Sequence, residues 1–421
     1  MIQHQYAIIL ILLAATLFLS SVSKKTSIPY PVFLVIAWVL IGFIPSMDVI
    51  TLDPSIVFLL FLPPLLYDAA ANTNLWLFKR HIGTISTLAL SLVFISTAGI
   101  ATIAHYLIPG MSWQTWFLLW AILSATDAVA AINITKWLNL SDKTITILEG
   151  ESLINDASAL TAYHFAIAAV GGATFVFREA GIEFLGLIIG GAAIWLIIGK
   201  LLRIMLRMTK ENQTISVGFT LLTPFITYLV AELFHTSWVI AVVVLGIFVT
   251  KFTNASFPLA TKTLSKIIRD MFTFLINGFI FLIIWLNFNI ILQNIPTSQI
   301  PTLIGSGFII AIGAFLIRMG IVYIEAWIRR RKYILKPSKE RAKQRLSRQS
   351  ALVISWSGMR WIVSLATALA IPLYLADGSL FPERDKILFL SIVVVLITLV
   401  VQWIGLPYLV NYLHITSKQQ E

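Results

Sequence analysis

"LEGESLINDASALTAYHFAIAAVGG", residues 148–172, is long enough to cross a bilayer as one helix, yet it carries Glu149, Glu151, Asn155, Asp156 and His164. A charged side chain at the bilayer centre costs roughly 2.5–3.5 kcal/mol on insertion scales, so each such residue needs a partner, a wet cavity or a function. The rest of the chain supplies the membrane. Of 421 residues, 58% are hydrophobic and 12% charged, and apolar runs near the roughly 20-residue length of a span recur from end to end. Cysteine is absent, which excludes disulfides, thiol nucleophiles and cysteine-ligated zinc.

These runs read as an all-α polytopic membrane protein with thirteen candidate spans: 5–22, 28–45, 54–72, 83–108, 113–135, 147–172, 181–207, 214–234, 236–252, 267–291, 302–330, 349–376 and 385–412. Several are longer than a straight span needs, which a tilted or kinked helix absorbs. The short stretch "HTSW" (235–238) is expected to divide two of them.

The distribution of Lys and Arg orients the chain. With the amino terminus outside, the inner segments hold Lys24 and Lys25, Lys79 and Arg80, Lys136 and Lys143, four residues at 200–210, four at 251–269, ten at 329–348, and Lys418. The outer segments hold Arg178, Arg384 and Lys386, whereas Arg318 and Arg360 fall inside apolar spans. Cytoplasmic loops collect basic residues in this way, so the carboxyl terminus is expected in the cytoplasm. No basic residue precedes the run at 5–22, so it reads as a retained first helix and not as a signal peptide. The net charge of +11 follows from this topology and calls for no nucleic acid. The basic loop 329–348 is expected to touch anionic lipid. No stretch reads as a soluble catalytic module.

The buried ionisable residues carry the function. Asp127 falls roughly 21 Å into its span, Asp156 roughly 13–18 Å and Arg360 roughly 16 Å, at 1.5 Å per residue, so all three converge near the membrane middle. On a helix through 148–172, Glu149, Ser152, Asn155 and Asp156 share one face, with Glu151 about 140° away from Asp156. Glu151 therefore needs a cation of its own, and the phase and depth pair it with Arg318. Asp156 and Asp127 are left together in a low-dielectric setting, where protons and cations compete for the same oxygens. Asp156, Asp127, Thr126, Ser152 and a backbone carbonyl make a hard oxygen set suited to a small monovalent cation. No catalytic zinc set is present, and His164 alone reads as a packing histidine. "SATDAVAA" (124–131) and "SWSGMRW" (355–361) interrupt their spans with polar residues and Gly358, as where transporter helices unwind. Their spans are seven apart, the odd offset that two inverted six-helix halves require.

The segments "FLPPLLYDAA" (61–70), "SATDAVAA", "EGESLINDASAL" (149–160), "FLIRMG" (315–320) and "SGMRWIVSLATALAIP" (357–372) resemble, in order and in helix, those of the monovalent cation:proton antiporters of the bacterial NhaP and eukaryotic NHE type. The resemblance covers essentially the whole chain, and its most specific element is the Asn-Asp pair of "GESLIND". It implies an NhaA-like antiporter fold with inverted repeats and unwound crossing helices, and a homodimer. It also implies a scaffold part near 1–80 and 181–291, and a transport core near 83–172 and 302–412. By the same resemblance Asp156 binds the transported ion, Asp127, Thr126 and Ser152 line its site, and Asn155 supports it. Glu151 pairs with Arg318, and Asp68 pairs with Arg360. Asp68 also reads as a helix-end residue near the inner interface. Relatives carry a proline after the aspartate of the fifth span, where this chain has Ala128, so that break rests on polar residues alone.

The expected activity is secondary active antiport of Na+, with Li+, against H+ across a bacterial inner membrane. Asn-Asp in place of Asp-Asp leaves one exchangeable carboxylate and suggests one proton for one cation. Glu149 is expected to draw cations toward Asp156. No cofactor is expected beyond the transported ions. The alternatives are a K+/H+ exchanger, a sodium-coupled solute symporter, and an intramembrane aspartyl protease. The protease lacks its second aspartate motif, and the spans at 181–291 lack a buried charge to hold an organic solute.

Overall fold

The computed structural model describes residues 14–22, 33, 54–108, 110–126, 141–172, 177–209, 212–335, 346–358, 360 and 362–412. Most of the candidate spans 5–22 and 28–45, and Asp127, lie outside the described residues. In chain order the helices are α1 (Pro54–Leu60), α2 (Leu62–Asn72), α3 (Leu75–Leu107), α4 (Trp113–Ser124), α5 (Asp142–Val170), α6 (Phe177–Met208), α7 (Gln213–Leu233), α8 (Trp238–Ser256), α9 (Leu259–Asn294), α10 (Ile300–Leu335), α11 (Arg348–Trp356), α12 (Ile362–Leu369) and α13 (Arg384–Tyr412). Among the described residues seven helices, α3, α6 to α10 and α13, are long and apolar enough to cross a membrane.

Helix starts follow local chemistry. Ser112, Ser141, Asn212, Ser237 and Ser347 each accept, through the side chain, the N–H of the residue three further on, satisfying one orphan donor of α4, α5, α7, α8 and α11. Pro63 and Pro64 sit in the first turn of α2, where a missing N–H costs nothing. The stretch "HTSW" divides α7 from α8: His235 takes φ +50, and the Thr236 N–H donates to Ala231 O at 2.9 Å.

Three expected boundaries are corrected. The span 83–108 begins earlier, at Leu75, and its first turns carry Arg80 over the Trp76 ring at 5.0 Å. The basic loop 329–348 begins as helix, since α10 continues to Leu335, with basic side chains on its last turns where the helix dipole favours them. The span 349–376 is two short helices, α11 and α12.

The chain divides into two compact units. One takes the described residues of Trp76–Gly171 and Ile280–Glu421, the other those of Leu52–Leu75 and Gly172–Phe279. In the first, α3, α5, α10 and α11 share a buried core that includes Ile85, Leu88, Ile147, Leu148, Val322 and Ile354. In the second, α8 packs on α2 and α6. There Gly246 permits the approach: a Cβ at that position would stand 2.9 Å from the Tyr67 carbonyl oxygen and 3.0 Å from Ala70 Cβ. Small residues allow such contacts between apolar helices, where lipid supplies no hydrophobic drive. Gly246→Ala is expected to cost about 1–3 kcal/mol through overpacking. A lowered thermal midpoint of the detergent-purified protein measures it, and an unchanged midpoint would contradict the contact.

Candidate functional site

α4 stops at Ser124, and Ala125 turns to extended backbone (φ −61, ψ 130). A helix end leaves its last carbonyls without intrahelical donors, and in an apolar interior each unpaired group costs several kcal/mol. Side chains meet this need in succession. Ser124 Oγ donates to Ala121 O at 2.9 Å, and Arg360 Nε donates to Leu123 O. Asn155 Nδ2 donates to Ser124 O at 2.9 Å and to Thr126 Oγ1 at 3.0 Å. Ser364 Oγ donates to Ala125 O at 3.3 Å, and Ser152 Oγ donates to Thr126 O at 2.5 Å. Four consecutive carbonyls, 123 to 126, thus hang on α5, α12 and the segment before α12.

This capping fixes the face of α5 that holds Ser152, Asn155 and Asp156 against the broken end of α4. Asn155 is 0% and Asp156 5% exposed. Asn155 Oδ1 is buried without a hydrogen-bond partner among the described residues. Its amide orientation follows from the Ser124 carbonyl, which only the NH2 side can satisfy.

The second break, between α11 and α12, has its own cation. Arg318 on α10 grips Glu151 with both guanidinium ends, Nη1 to Oε1 at 2.5 Å and Nη2 to Oε2 at 3.0 Å. It also donates to Ile354 O in the last turn of α11, from Nε at 3.2 Å and Nη2 at 3.0 Å. Glu151 is 1% exposed, so the pair is sealed from water. Gly358 makes room for it, since a Cβ there would fall 2.4 Å from Arg318 Cδ and Nε. Arg360 meanwhile lies over the Trp120 ring at 4.9 Å, so both interrupted ends are faced by a guanidinium, the charge that a helix carboxyl end favours.

The family described as "Sodium/hydrogen exchanger, transmembrane" matches residues 8–412. The chain belongs to the sodium/hydrogen exchanger family. It is 31% identical over 382 residues to the "Uncharacterized Na(+)/H(+) exchanger YjcE" of Escherichia coli (strain K12), covering 88% of this chain and 69% of that protein. It is 32% identical over 404 residues to the "Sodium, potassium, lithium and rubidium/H(+) antiporter" of Bacillus pumilus (strain SAFR-032), covering 91% of this chain and 58% of that protein. The structure of the sodium proton antiporter MjNhaP1 from Methanocaldococcus jannaschii at pH 8 matches with a TM-score of 0.76 at 17% identity, over 97% of this chain and 98% of that one. That last likeness is one of fold. The exchanger is thus an integral membrane transporter and not an enzyme.

In this exchanger the expected pairing of Asp68 with Arg360 gives way to other partners. Arg269 Nε donates to Asp68 Oδ1 at 3.3 Å, Thr273 Oγ1 to Asp68 Oδ2 at 3.4 Å, and Asn72 Nδ2 to Asp68 Oδ1 at 3.1 Å. The reason is local: α9 brings a cation to Asp68, while the end of α4 and Trp120 occupy Arg360. His164 packs its ring edge-on against Tyr163 at 5.6 Å. Glu149 is half-buried. Two site residues escaped the sequence reading, Ser364 and Trp120. Nothing in a run of serines and tryptophans distinguishes the one that meets a bent backbone.

Glu151→Leu or Arg318→Leu alone is expected to cost about 3–5 kcal/mol, because each leaves a buried charge unpaired. The double variant should regain much of that loss. Thermal unfolding of the three proteins in detergent measures the coupling, and additive losses would show that the pair does not act as one.

Proposed function

We propose that this exchanger moves a monovalent cation, Na+ and also Li+, against H+ at Asp156, one for one and without net charge transfer. The observation that carries the reading is a buried carboxylate on the face of α5 that Ser152 and Asn155 lock to the broken end of α4. Asp156, Ser152, Thr126 and Asp127 are the proposed ligands. Proton and cation compete for the same oxygens, and occupancy by either neutralises the site. A neutral site crosses the membrane barrier more cheaply than a bare carboxylate, which couples the two ions through alternating access. Glu149 attracts cations toward this site. Asn155 holds the backbone in place, Glu151 and Arg318 clamp α5 to the end of α11, and Arg360 balances the end of α4. Asp68 anchors α9 within its own unit.

The unit built on α3 to α5 and α10 to α13 is proposed as the moving core, and the unit of α1, α2, α6 to α8 and the first part of α9 as the scaffold of a homodimer. Thirteen spans with two inverted six-helix repeats, an outer amino terminus, a cytoplasmic carboxyl terminus and residence in a bacterial inner membrane complete the proposal. A broader cation range that includes K+ is the second reading, favoured by the name of the Bacillus pumilus relative, a sodium, potassium, lithium and rubidium/H(+) antiporter.

In proteoliposomes with an internal pH dye, Na+ and Li+ are expected to drive proton efflux that Asp156→Asn abolishes. Exchange should fall at low pH as protons occupy the site, and should ignore an imposed membrane potential. Undiminished exchange in the variant would remove Asp156 from the mechanism, and a rate that follows the potential would overturn the one-for-one count.

A further inference from the structure

The basic end of the first unit contains a polar layer that the exchange site does not use. On α3, one turn before the core residues Ile85 and Leu88, His81 and Thr84 share a face three residues apart. His81 is 3% and Thr84 0% exposed. Both His81 Nδ1 and Thr84 Oγ1 are buried with no hydrogen-bond partner among the described residues. Native interiors rarely leave two such groups together without a polar occupant.

Cations stand on the three helices that pack here: Lys143 at the start of α5, Arg80 on α3 and Arg329 near the end of α10. A Cβ at Gly83 would stand 3.8 Å from Arg329 Nη2, so that guanidinium lies against α3. Glu325 accepts from Arg329 Nε at 2.5 Å and offsets one of the three charges. Asp142 and Lys79, the neighbours of Lys143 and Arg80 in the chain, are both exposed. The starts of α5 and α11 meet at the same end, where Thr144 Oγ1 donates to Ser350 Oγ at 3.5 Å, and helix starts favour anions.

Two tryptophans mark the level. Trp76 is 66% and Trp327 58% exposed, and each carries an arginine on its ring, Arg80 at 5.0 Å and Arg331 at 5.3 Å. Exposed indoles with basic neighbours sit at the height of lipid headgroups. A soluble anion gains nothing from such a rim, whereas a lipid uses both its charge and its apolar flank.

We propose that this basic end holds the phosphate of an anionic phospholipid, with Arg80, Lys143 and Arg329 as its cradle over His81 and Thr84. The lipid ties the starts of α3 and α5 to the end of α10. The inference does not depend on the exchange chemistry.

The test is native mass spectrometry of the full chain released from mixed phosphatidylglycerol and phosphatidylcholine nanodiscs. The wild type is expected to retain phosphatidylglycerol selectively. Arg80→Gln with Lys143→Gln should weaken retention on the order of 25-fold, at roughly fivefold per cation removed. Removing Lys200, Arg203 and Arg207 from α6 should leave retention unchanged. Thr84→Val, which alters no charge, should weaken it without lowering the thermal midpoint in detergent, and this variant keeps the test open where the double variant fails to fold. Equal loss from the α6 variant would reduce the effect to general surface charge. Stabilisation by inorganic phosphate alone, with no preference between the two lipids, would overturn the assignment to a lipid, and full retention by Thr84→Val would remove the buried layer from the site.

Discussion

The end of α4 is the constraint on which the rest of the site depends. A helix that stops inside a membrane protein exposes carbonyls that neither water nor lipid can satisfy. Here Arg360, Asn155, Ser364 and Ser152 take the carbonyls of Leu123 to Thr126 one after another. Each donor is thereby fixed by the backbone it caps, so the break and the polar face of α5 are a single structure. Moving α4 would cost several buried hydrogen bonds at once, each worth about 1 kcal/mol net and more if left unmade.

The arginines follow the same logic at larger scale. Arg318 closes the end of α11 while neutralising Glu151, and Arg360 closes the end of α4 beside Trp120. At the end of α12, Arg384 Nε donates to Ile371 O at 3.1 Å and Tyr163 Oη to Ala370 O at 2.7 Å. Fixed guanidinium charges at helix carboxyl ends offset their partial negative charge. Glu151 is matched by Arg318, and in the proposed mechanism it is Asp156 whose charge changes with its occupant. A spread of equivalent buried acids would blur that distinction.

Much of this was legible in the chain. The apolar runs reported helices because a bilayer demands satisfied backbone over about 20 residues. The cost of burying Glu151 called for a cation, and only two arginines lay within spans, so the need for a pair could be read without coordinates. Helical phase placed Ser152, Asn155 and Asp156 together. Other features were not legible. Asp68 was assigned to Arg360, yet charge alone does not say which of several arginines a fold brings close, and Arg269 on α9 does so. Ser364 looked like any serine of an apolar helix. The division of 349–376 into α11 and α12 was hinted at by Gly358, but its reason, the passage of the Arg318 side chain, lies 40 residues away.

The sequence by itself determined the class of molecule, the helix faces and the buried charges, because hydropathy, periodicity and desolvation act locally or on each residue alone. Only the tertiary structure decided which donor meets which carbonyl and which cation meets which acid. Those choices depend on where helices distant in sequence cross, and a hydrogen bond fails over less than an ångström, a distance that no spacing along the chain encodes.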